Sequence, residues 1–508
     1  PLQDIALEQM AAMKKFHELD IPHSGFYAEG AGATFFGEYK KEELYKVVSF
    51  GERHGFKVFS WQFPNMTQEL AQELLPECPK EELPITRNKN DEEEKLPVYI
   101  DFSHPRAKEL LAAQWKDRMD AGIRGSMVDF GDVVPDEAVF YDGRRGDEMH
   151  NAYAYQYAKN YRELFEQKYG DDHVLYTRGA APGSQHFACQ FGGDQLTSFQ
   201  GLKYAIAGGL SAAASGLPFW GVDAGGYDGF PDQETYLRWT EYAAFCPLMR
   251  FHGTEPREPW EYDAFTVKVY RYYTWLRENL RPYIVSVAAE AHKLGIPMMR
   301  PLAMMYPEDQ EATKVWDEYL FGEDLLVAPV SDETEEREIY FPEGRWISLW
   351  NLNDEISGPV QRSVEVPIDK IPVYIREGSF LPLRLNESLK LGESMSESET
   401  EMILAVVPQN DSIVKETLYE RSGAKTCCGM EKNGETIQLQ ISGRTAELYV
   451  MLAGIHWKNT EAIVNGRTLT KVTAREGLYF TEGYLELEEG ILVKINPSAE
   501  SVIKIQKK

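Results

Sequence analysis

Cysteine is scarce in this chain, with five among 508 residues and no pair spaced as Cys-x-x-Cys. A disulfide framework or a zinc site is therefore not indicated, because both need several cysteines at paired spacing. Long apolar runs are also lacking, so no segment is predicted to span a membrane. The opening residues "PLQDIALEQMAAMKKF" are typical of an amphipathic helix and lack the pattern of a secretory signal. We expect a cytoplasmic globular protein.

Positive charge is in short supply, since 53 Lys and Arg face 81 Asp and Glu, for a net charge of -28. This excess repels phosphate backbones and anionic lipids, which argues against nucleic acid and membranes as partners. A neutral, hydroxyl-rich small molecule is the better expectation. Because no His-Glu-x-x-His motif or cluster of histidines is present, we predict no metal. We also expect no cofactor.

From residue 1 to about 293, short apolar runs alternate with stretches of helical periodicity. The predicted strands are 24–30, 56–62, 125–132, 173–179, 188–194, 218–226 and 247–253. The predicted helices between them are 103–120, 150–169, 198–215 and 233–246. Alternating strands and helices indicate a parallel sheet, either open and doubly wound or closed as an eight-stranded barrel.

Polar residues at the strand ends favour the barrel. They are Glu29, Gln62, Asp129, Arg178, Asp194, Asp223 and His252. Barrel enzymes build their sites from several strand ends at once, whereas an open sheet binds its ligand at one switch point. One strand of eight is missing from this count, so we expect it upstream of Pro1, in keeping with the absent initiator Met.

After residue 294 the pattern changes to short strands separated by Gly and Pro turns, without intervening helices. Such a pattern is typical of β-sandwiches. The predicted fold is therefore an α/β protein with a (β/α)8 TIM-type barrel at 1–293 and two C-terminal β-sandwich domains. We place these at 294–385 and 386–508.

The stretch "GSMVDFGDVVP" contains an Asp-Phe-Gly triplet, Asp129 to Gly131, which also occurs in protein kinases. The triplet binds magnesium only beside a Gly-rich loop, a strand lysine and a catalytic loop, none of which is found here. The lone Gly-x-Gly in "EGAGATFFGE" is weak evidence for a phosphate loop and follows an acidic strand end. A phosphate-handling enzyme is therefore disfavoured.

Carboxylates recur at three predicted strand ends, with aromatic neighbours. The carboxylates are Asp129, Asp132, Asp194 and Asp223, and the aromatic residues are Phe130, Phe191, Trp220 and Tyr227. Any one aspartate could be a turn or cap residue. Several together favour a site, because paired carboxylates provide nucleophilic and acid/base chemistry and aromatic faces suit sugar rings. Together they indicate glycoside cleavage.

Longer motifs carry a family resemblance. They are "MVDFGD", "YTRGAAPGSQHF", "FGGDQ", "FWGVDAGGY", "YLRWTEYAAFCPLMRFHG" and "EPREPWEYD", followed by "GIPMMRPLAMMYPEDQ", "GEDLLVAPV" and "YFPEGRW". In this order they resemble glycoside hydrolase family 31, the retaining α-glycosidases that include α-glucosidases, α-xylosidases and sulfoquinovosidases. The resemblance covers roughly residues 20–385.

The resemblance implies that Asp129 is the nucleophile and Asp194 the general acid/base of a retaining mechanism. It also implies a sugar-binding set: Glu29, Met127, Arg178, Phe191, Trp220, Asp223, Tyr227, Arg250 and His252. Trp260 is expected as a further wall or support. His150 and Asn151 match a family pattern too, but a helix start explains them equally well.

Some of these residues depart from the family pattern, which bears on the substrate. Glu29 stands where Asp is usual, Met127 where Trp or Lys is frequent, and Phe191 where Trp is frequent. Tyr227 stands where many α-glucosidases have Phe, and sulfoquinovosidases share the Tyr. These changes alter the pocket and leave the chemistry in place.

The expected activity is that of an exo-acting α-glycosidase of α-glucosidase type. The alternatives are another α-glycoside as substrate (sulfoquinovoside, α-xyloside, α-galactoside or α-N-acetylgalactosaminide) or a non-catalytic carbohydrate-binding relative. Family members usually carry an N-terminal β-sandwich, so we expect an upstream domain of the same protein as a partner. Homo-oligomerisation stays open.

Overall fold

The computed structural model describes residues 2–28, 41–87, 98–396, 401–410, 412–444 and 446–508. They fall into two compact units, unit 1 (Pro1–Gly193) and unit 2 (Asp194–Lys508). Glu29, predicted to bind substrate, lies outside the described residues. Among the helices that the structure describes, none is long and apolar enough to cross a membrane.

Unit 1 alternates strands and helices. Its elements are α1 (Leu2–Glu18), β1 (Gly25–Tyr27), α2 (Lys41–Arg53), β2 (Lys57–Gln62), β3 (Asn65–Met66), α3 (Gln68–Leu74), β4 (Val98–Tyr99), α4 (Ala107–Ala121), β5 (Gly125–Val128), α5 (Gly146–Tyr169), β6 (Val174–Thr177) and β7 (Cys189–Phe191). Strands β1, β2, β5, β6 and β7 pair in parallel in that order. Strands β3 and β4 form a separate antiparallel pair.

The parallel strands of unit 1 are short, and β5 at their centre is the most deeply buried. All four residues of β5 are buried, as expected for a strand whose two faces are both covered. Gly125 begins β5, and a Cβ there would overlap the carbonyl oxygen of Val174 and lie 2.5 Å from the ring of Phe59. Only glycine therefore allows β5 and β6 to pair this closely at that point.

Helices α4 and α5 cover the strands of unit 1 with an aromatic layer. Trp115 of α4 donates to the hydroxyl of Tyr161 at 3.1 Å, and Tyr153, Tyr157 and Tyr161 line one face of α5. The Tyr157 hydroxyl donates to the carbonyl oxygen of Gln62 at 3.3 Å. This contact anchors the C-terminal end of β2, where site residues begin.

Unit 2 begins with helices. They and the first strands are α6 (Phe199–Ala214), β8 (Trp220–Gly221), α7 (Gln233–Ala244), α8 (Ala264–Asn279), α9 (Arg281–Leu294), β9 (Met299–Pro301), α10 (Leu302–Met305), β10 (Tyr319–Phe321), β11 (Leu325–Val327), β12 (Glu336–Ser348), β13 (Glu355–Glu365), β14 (Val373–Arg376) and β15 (Phe380–Leu385). The side chains of Ser198, Asp232 and Asp263 cap the N-termini of α6, α7 and α8. These caps fix where the preceding loops end.

Each predicted barrel strand except 247–253 contains an observed strand. Within the described residues, that segment makes one parallel bridge, Leu248 to Gly221, and the carbonyl oxygen of Arg250 accepts a hydrogen bond from the N–H of Ala224 at 3.0 Å. Pro247 lacks an N–H, and Gly225 turns the neighbouring segment away with a φ of 91°. The ladder therefore stays too short to count as a strand.

The first antiparallel sheet of unit 2 has the order β13-β12-β14-β11-β10-β9. Alternate residues of its central strands enter two different cores. Tyr319, Phe321 and Val327 pack in the core shared with α7, α8 and α9, whereas Leu320 and Leu326 pack in a core with Phe341 and Trp346. Both faces of the sheet are therefore buried, which explains the unbroken apolar runs of β10 and β11.

The C-terminal strands are β16 (Glu401–Val406), β17 (Ile413–Tyr419), β18 (Lys425–Asn433), β19 (Thr436–Ser442), β20 (Leu448–Ala453), β21 (Thr460–Val464), β22 (Arg467–Thr468), β23 (Thr470–Lys471), β24 (Gly483–Glu486), β25 (Gly490–Ile495) and β26 (Glu500–Lys507). They form two six-stranded sheets, β15-β16-β20-β25-β24-β23 and β17-β18-β19-β26-β21-β22. Val450 and Val493 of one sheet share a core with Leu439 and Ile503 of the other. This is a β-sandwich.

Candidate active site

Asp129 follows the last residue of β5 and is 4% exposed. The indole Nε1–H of Trp61 donates to its Oδ2 at 3.0 Å, and the backbone N–H of Phe130 donates to its Oδ1 at 2.9 Å. Its own N–H donates to the carbonyl oxygen of Gln62 at 2.7 Å. The carboxylate is thus buried, oriented by two donors and fixed to the neighbouring strand end.

Arg178 lies beside the same carboxylate. Its Nε is 3.5 Å from Oδ1 of Asp129 and 3.4 Å from Oδ2 of Asp132, and its guanidinium carbon lies 4.3 Å from the centre of the Phe130 ring. The Asp129 side chain is 6% exposed, whereas that of Asp132 is 40% exposed. Arg178 therefore bridges a buried carboxylate and an open one.

The turn between the two aspartates has an unusual backbone. Phe130 has a φ of +57°, in the left-handed region that residues other than glycine seldom adopt. This conformation directs the N–H of Phe130 to its neighbour's carboxylate and leaves the ring 38% exposed over Arg178. Strain of this kind is characteristic of functional turns.

The other predicted residues of unit 1, Met127 and Phe191, lie on the same face of the parallel strands. Met127, on β5, pairs in register with Trp61 and Tyr176 and is 2% exposed. Phe191, which ends β7, is also 2% exposed, and its ring centre lies 6.0 Å from that of Tyr176. Both are packed side chains at the strand ends.

His150 and Asn151 lie in the first turns of α5, which begins at Gly146. Both are exposed, and their side chains contact one another at 3.2 Å. Their surroundings match the helix-start interpretation.

In unit 2, Asp223 and Arg250 form a buried ion pair, with side chains 0% and 10% exposed. Burial, and then the charges of Arg250 and Arg257, lower the pKa of His252 to about 3. His252 is therefore neutral at pH 7, with one ring nitrogen able to donate and the other able to accept. The rings of Tyr227 and His252 lie 5.5 Å apart. The structure thus brings Asp223, Tyr227, Arg250 and His252 together.

Asp194 is the first residue of unit 2 and is exposed. The carbonyl oxygen of Gln195, next in the chain, accepts the N–H of Tyr227 at 2.8 Å, and residues 196 and 228 form a parallel bridge. The segment carrying Asp194 is therefore joined to the loop carrying Tyr227.

The two predicted tryptophans lie in different surroundings. The indole of Trp220 packs on α6, where a Cβ added at Gly209 would lie 2.7 Å from its Nε1. Trp260 lies half-buried in the short 3-10 helix Pro259–Glu261.

Trp61 and Arg257 were not predicted from the sequence. Gln62 was selected at the end of β2, but its side chain is buried and donates to the carbonyl oxygen of Phe63 at 2.6 Å. Side chains alternate along β2, so Trp61 is the residue that faces Asp129. The pairing of Trp61 with Met127 could have indicated this, had the strand register been known. Among the described residues, no group of three or more His, Cys, Asp or Glu could hold a metal ion.

Two family models match the chain. "Glycosyl hydrolases family 31 TIM-barrel domain" matches residues 7–287, and "Glycosyl hydrolase family 31 C-terminal domain" matches residues 295–381. These matches confirm the predicted fold class, a TIM-type barrel followed by C-terminal β domains.

Two curated relatives are each 32% identical to the chain. An isomaltosyltransferase of Sporosarcina globispora matches over 80% of this chain and 39% of its own length. An alpha-xylosidase of Emericella nidulans matches over 56% of this chain and 38% of its own length. The chain thus spans about two fifths of the length of these relatives.

A solved structure of the cycloalternan-forming enzyme from Listeria monocytogenes, in complex with a pentasaccharide substrate, superposes with a TM-score of 0.88. It is 22% identical and covers 99% of this chain and 53% of that one. This likeness supports the fold.

Proposed function

The chain belongs to glycosyl hydrolase family 31, and from that premise we propose that it is a retaining exo-α-glycosidase of α-glucosidase type. It hydrolyses a terminal α-linked sugar through a covalent glycosyl-aspartate intermediate. The observation that carries this proposal is the environment of Asp129, a buried strand-end carboxylate that accepts two N–H groups beside an arginine.

That environment suits a nucleophile. Hydrogen bonds donated to a carboxylate, and a nearby positive charge, favour its ionised form. The donors from Trp61 and Phe130 also fix the orientation of the two oxygens. In the first step an Asp129 oxygen bonds to the anomeric carbon while the bond to the leaving oxygen breaks, giving the covalent intermediate.

Asp194 is proposed as the general acid/base. It gives its proton to the leaving oxygen in the first step, then takes a proton from the water that attacks the anomeric carbon and releases Asp129. Its exposure is compatible with this role, since the acid/base must meet both the leaving group and water.

We propose that Asp223, Arg250 and His252 bind the hydroxyl groups of the cleaved sugar. The carboxylate accepts, the guanidinium donates, and a neutral imidazole can do both. Glu29, Met127, Arg178, Phe191, Trp220 and Tyr227 complete the proposed substrate-binding set.

The catalytic assignment is tested with D129N, D194N and the matched control D132N, since Asp132 shares Arg178 but not the two N–H donors. We expect D129N to abolish turnover and D194N to keep partial activity on aryl glycosides with activated leaving groups, which need less protonation. Near-normal turnover by D129N would refute the assignment. NMR of the first product released must show that the anomeric configuration of the substrate is retained.

The sugar is tested with a panel of aryl α-glycosides: gluco, galacto, xylo, N-acetylgalactosamino and sulfoquinovosyl. We expect the gluco member to be hydrolysed best. The relatives are named after different activities, and Tyr227 matches sulfoquinovosidases. A clear preference for another member of the panel would therefore change the proposed sugar but keep the proposed mechanism. Binding without hydrolysis of any member would indicate a carbohydrate-binding relative.

Transglycosylation is a second candidate, because the relative matching 80% of the chain is named an isomaltosyltransferase. The same covalent intermediate would then be attacked by a sugar hydroxyl in place of water. Product analysis with and without an added acceptor sugar separates the two outcomes. Oligosaccharide products at millimolar acceptor would favour the transferase.

The remaining expectations also stand as proposals. They are a cytoplasmic location, an upstream domain of the same protein, and the division into domains at 1–293, 294–385 and 386–508. Limited proteolysis of the full-length protein followed by mass spectrometry checks the division, because cleavage concentrates at exposed connections between domains.

A further inference from the structure

Arg257 is 6% exposed, and its guanidinium donates hydrogen bonds to backbone carbonyl groups. Nε donates to the carbonyl oxygen of Gly226 at 3.1 Å, and Nη2 donates to those of Gly226, Tyr227 and Gly229 at 2.8, 3.1 and 2.7 Å. Nη1 donates to those of Glu255 and Pro256 at 2.9 and 3.2 Å. One side chain thus donates hydrogen bonds to carbonyl groups of two segments of unit 2, residues 225–229 and residues 255–256.

The first of these segments is residues 225–229, here called the glycine loop. Gly225, Gly226 and Gly229 all have φ between 80° and 91°. At Gly226 a Cβ would lie 2.6 Å from the carbonyl oxygen of Leu196. The loop is therefore a close-fitting turn whose carbonyl groups point inward to Arg257, a shape that needs glycine.

The glycine loop is hydrogen-bonded to the segments on either side. The N–H of Tyr227 donates to the carbonyl oxygen of Gln195 at 2.8 Å, and the N–H of Thr254 donates to that of Tyr227 at 2.8 Å. Gln195 follows Asp194, and Thr254 lies two residues after His252. A shift of the loop therefore reaches both proposed functional segments.

We propose that Arg257 is a positioning residue that fixes the glycine loop, and through it sets Tyr227 and the Asp194 segment relative to His252. The inference rests on the proposed function for its catalytic consequence. It assigns Arg257 no contact with substrate.

The chemistry of the side chain explains why arginine is required. The guanidinium is a planar fork with five N–H donors, so it can serve several carbonyl groups at fixed angles. A lysine ammonium has three donors at one point and reaches only part of the set. We therefore expect R257K to retain some loop order and R257Q to retain less.

Gly253 offers an independent way to disturb the same contact. A Cβ added there would overlap Nη2 of Arg257 and lie 2.5 Å from its guanidinium carbon. G253A therefore displaces the guanidinium while leaving the arginine in the chain. If the proposal is right, its phenotype resembles that of R257K.

Arg238 supplies the matched control. It is also buried and donates to backbone carbonyl groups, those of Val366 and Pro367 at 2.8 and 3.0 Å. Its Nη1 also lies 3.1 Å from Oε2 of Glu241, and R238K keeps a positive charge there while removing N–H donors at a segment with no proposed role in the reaction. It separates the general cost of losing a buried arginine from an effect on the glycine loop.

The experiment compares wild type, R257K, R257Q, G253A and R238K in the full chain. Hydrogen exchange is followed in peptides covering 225–231, and kcat and KM are measured on the best aryl α-glycoside. For R257Q we expect about tenfold faster exchange in that peptide, the effect of losing a hydrogen bond, and for R257K and G253A a smaller increase. We expect kcat/KM to fall about 10- to 100-fold, as misplaced groups commonly cause, with R257Q affected more than R257K.

R238K is expected to exchange like wild type in 225–231 and to keep kcat/KM within about twofold. The proposal is overturned if R257Q and G253A leave the exchange of 225–231 unchanged, or if R238K loses as much kcat/KM as they do. A wild-type protein that hydrolyses no panel member would refute the proposed function instead. The exchange comparison would still decide whether Arg257 holds the loop.

Discussion

The carboxylates of the two units are held in opposite ways. Asp129, in unit 1, accepts neutral N–H groups and lies at 3.5 Å from a shared arginine. Asp223, in unit 2, is fully buried against Arg250, where the two charges offset one another. The neutral donors orient the oxygens of Asp129 without offsetting its charge and Arg178 contacts it from 3.5 Å, whereas the charge of Asp223 is offset in the interior by Arg250. This difference is in keeping with the proposed function, in which Asp129 reacts with the sugar and Asp223 binds it.

The largest expected effect breaks the pair in unit 2. D223N leaves Arg250 buried without its counter-charge, so the free energy of unfolding should fall by about 3–5 kcal/mol. Urea denaturation measures it. The double variant D223N/R250Q should lose less than the sum of the single variants, because the two side chains interact directly. Strict additivity would contradict this account of the pair.

The next effect concerns the pH dependence of unit 2. His252 has a pKa of about 3 in the folded protein against 6.5 when unfolded, so the unfolded state binds its proton first. The contribution of His252 to the free energy of unfolding is fully present above pH 6.5 and is lost as the pH falls toward 3. Between pH 6.5 and 4.5 the loss amounts to about 2–3 kcal/mol. H252Q should show a correspondingly flatter stability profile over this range, and an unchanged profile would rule out His252 as its source.

A smaller effect, on rate, probes unit 1. W61F keeps an aromatic ring but removes the N–H that Asp129 accepts. Loss of a hydrogen bond to a charged group should lower kcat/KM about 10- to 100-fold, with little change in stability. Steady-state kinetics and a melting temperature measure both quantities. An effect on stability alone would make Trp61 a packing residue and weaken the contrast between the units.

The smallest effect is expected for D132N. Asp132 lies 3.4 Å from Arg178 with a side chain 40% exposed, so solvent screens the interaction. We expect the free energy of unfolding to change by less than about 1 kcal/mol. A loss as large as that of D223N would mean that the open carboxylate, and not only Asp129, fixes Arg178.

Much of the fold could be predicted from the sequence because the periodicity of apolar residues is local. The helix predicted at 198–215 is observed at Phe199–Ala214, and the strand predicted at 56–62 at Lys57–Gln62. The segment 247–253 was harder, since its pairing depends on Pro247 and on a glycine turn in another segment. Strand length there is set by a neighbour that periodicity does not reveal.

The residues of the candidate site also divide into those that could be predicted from the sequence and those that could not. Ionisable residues at predicted strand ends, such as Asp129, Asp223 and His252, could be selected from the sequence. Trp61 could not, because choosing it over Gln62 requires the register of β2 against β5. Arg257 left no signal, because its partners are backbone carbonyl groups that every residue has.

The close pairing at Gly125 has a consequence for directed evolution of the protein. Any larger side chain there would push β5 away from β6 and move the strand end that carries Asp129. A variant library at position 125 should therefore yield almost only inactive proteins, whatever the substrate. Position 127 lies two residues further along β5 and carries a flexible Met side chain. A library there leaves the backbone register intact but is limited to side chains that fit the buried volume of Met127, which is 2% exposed.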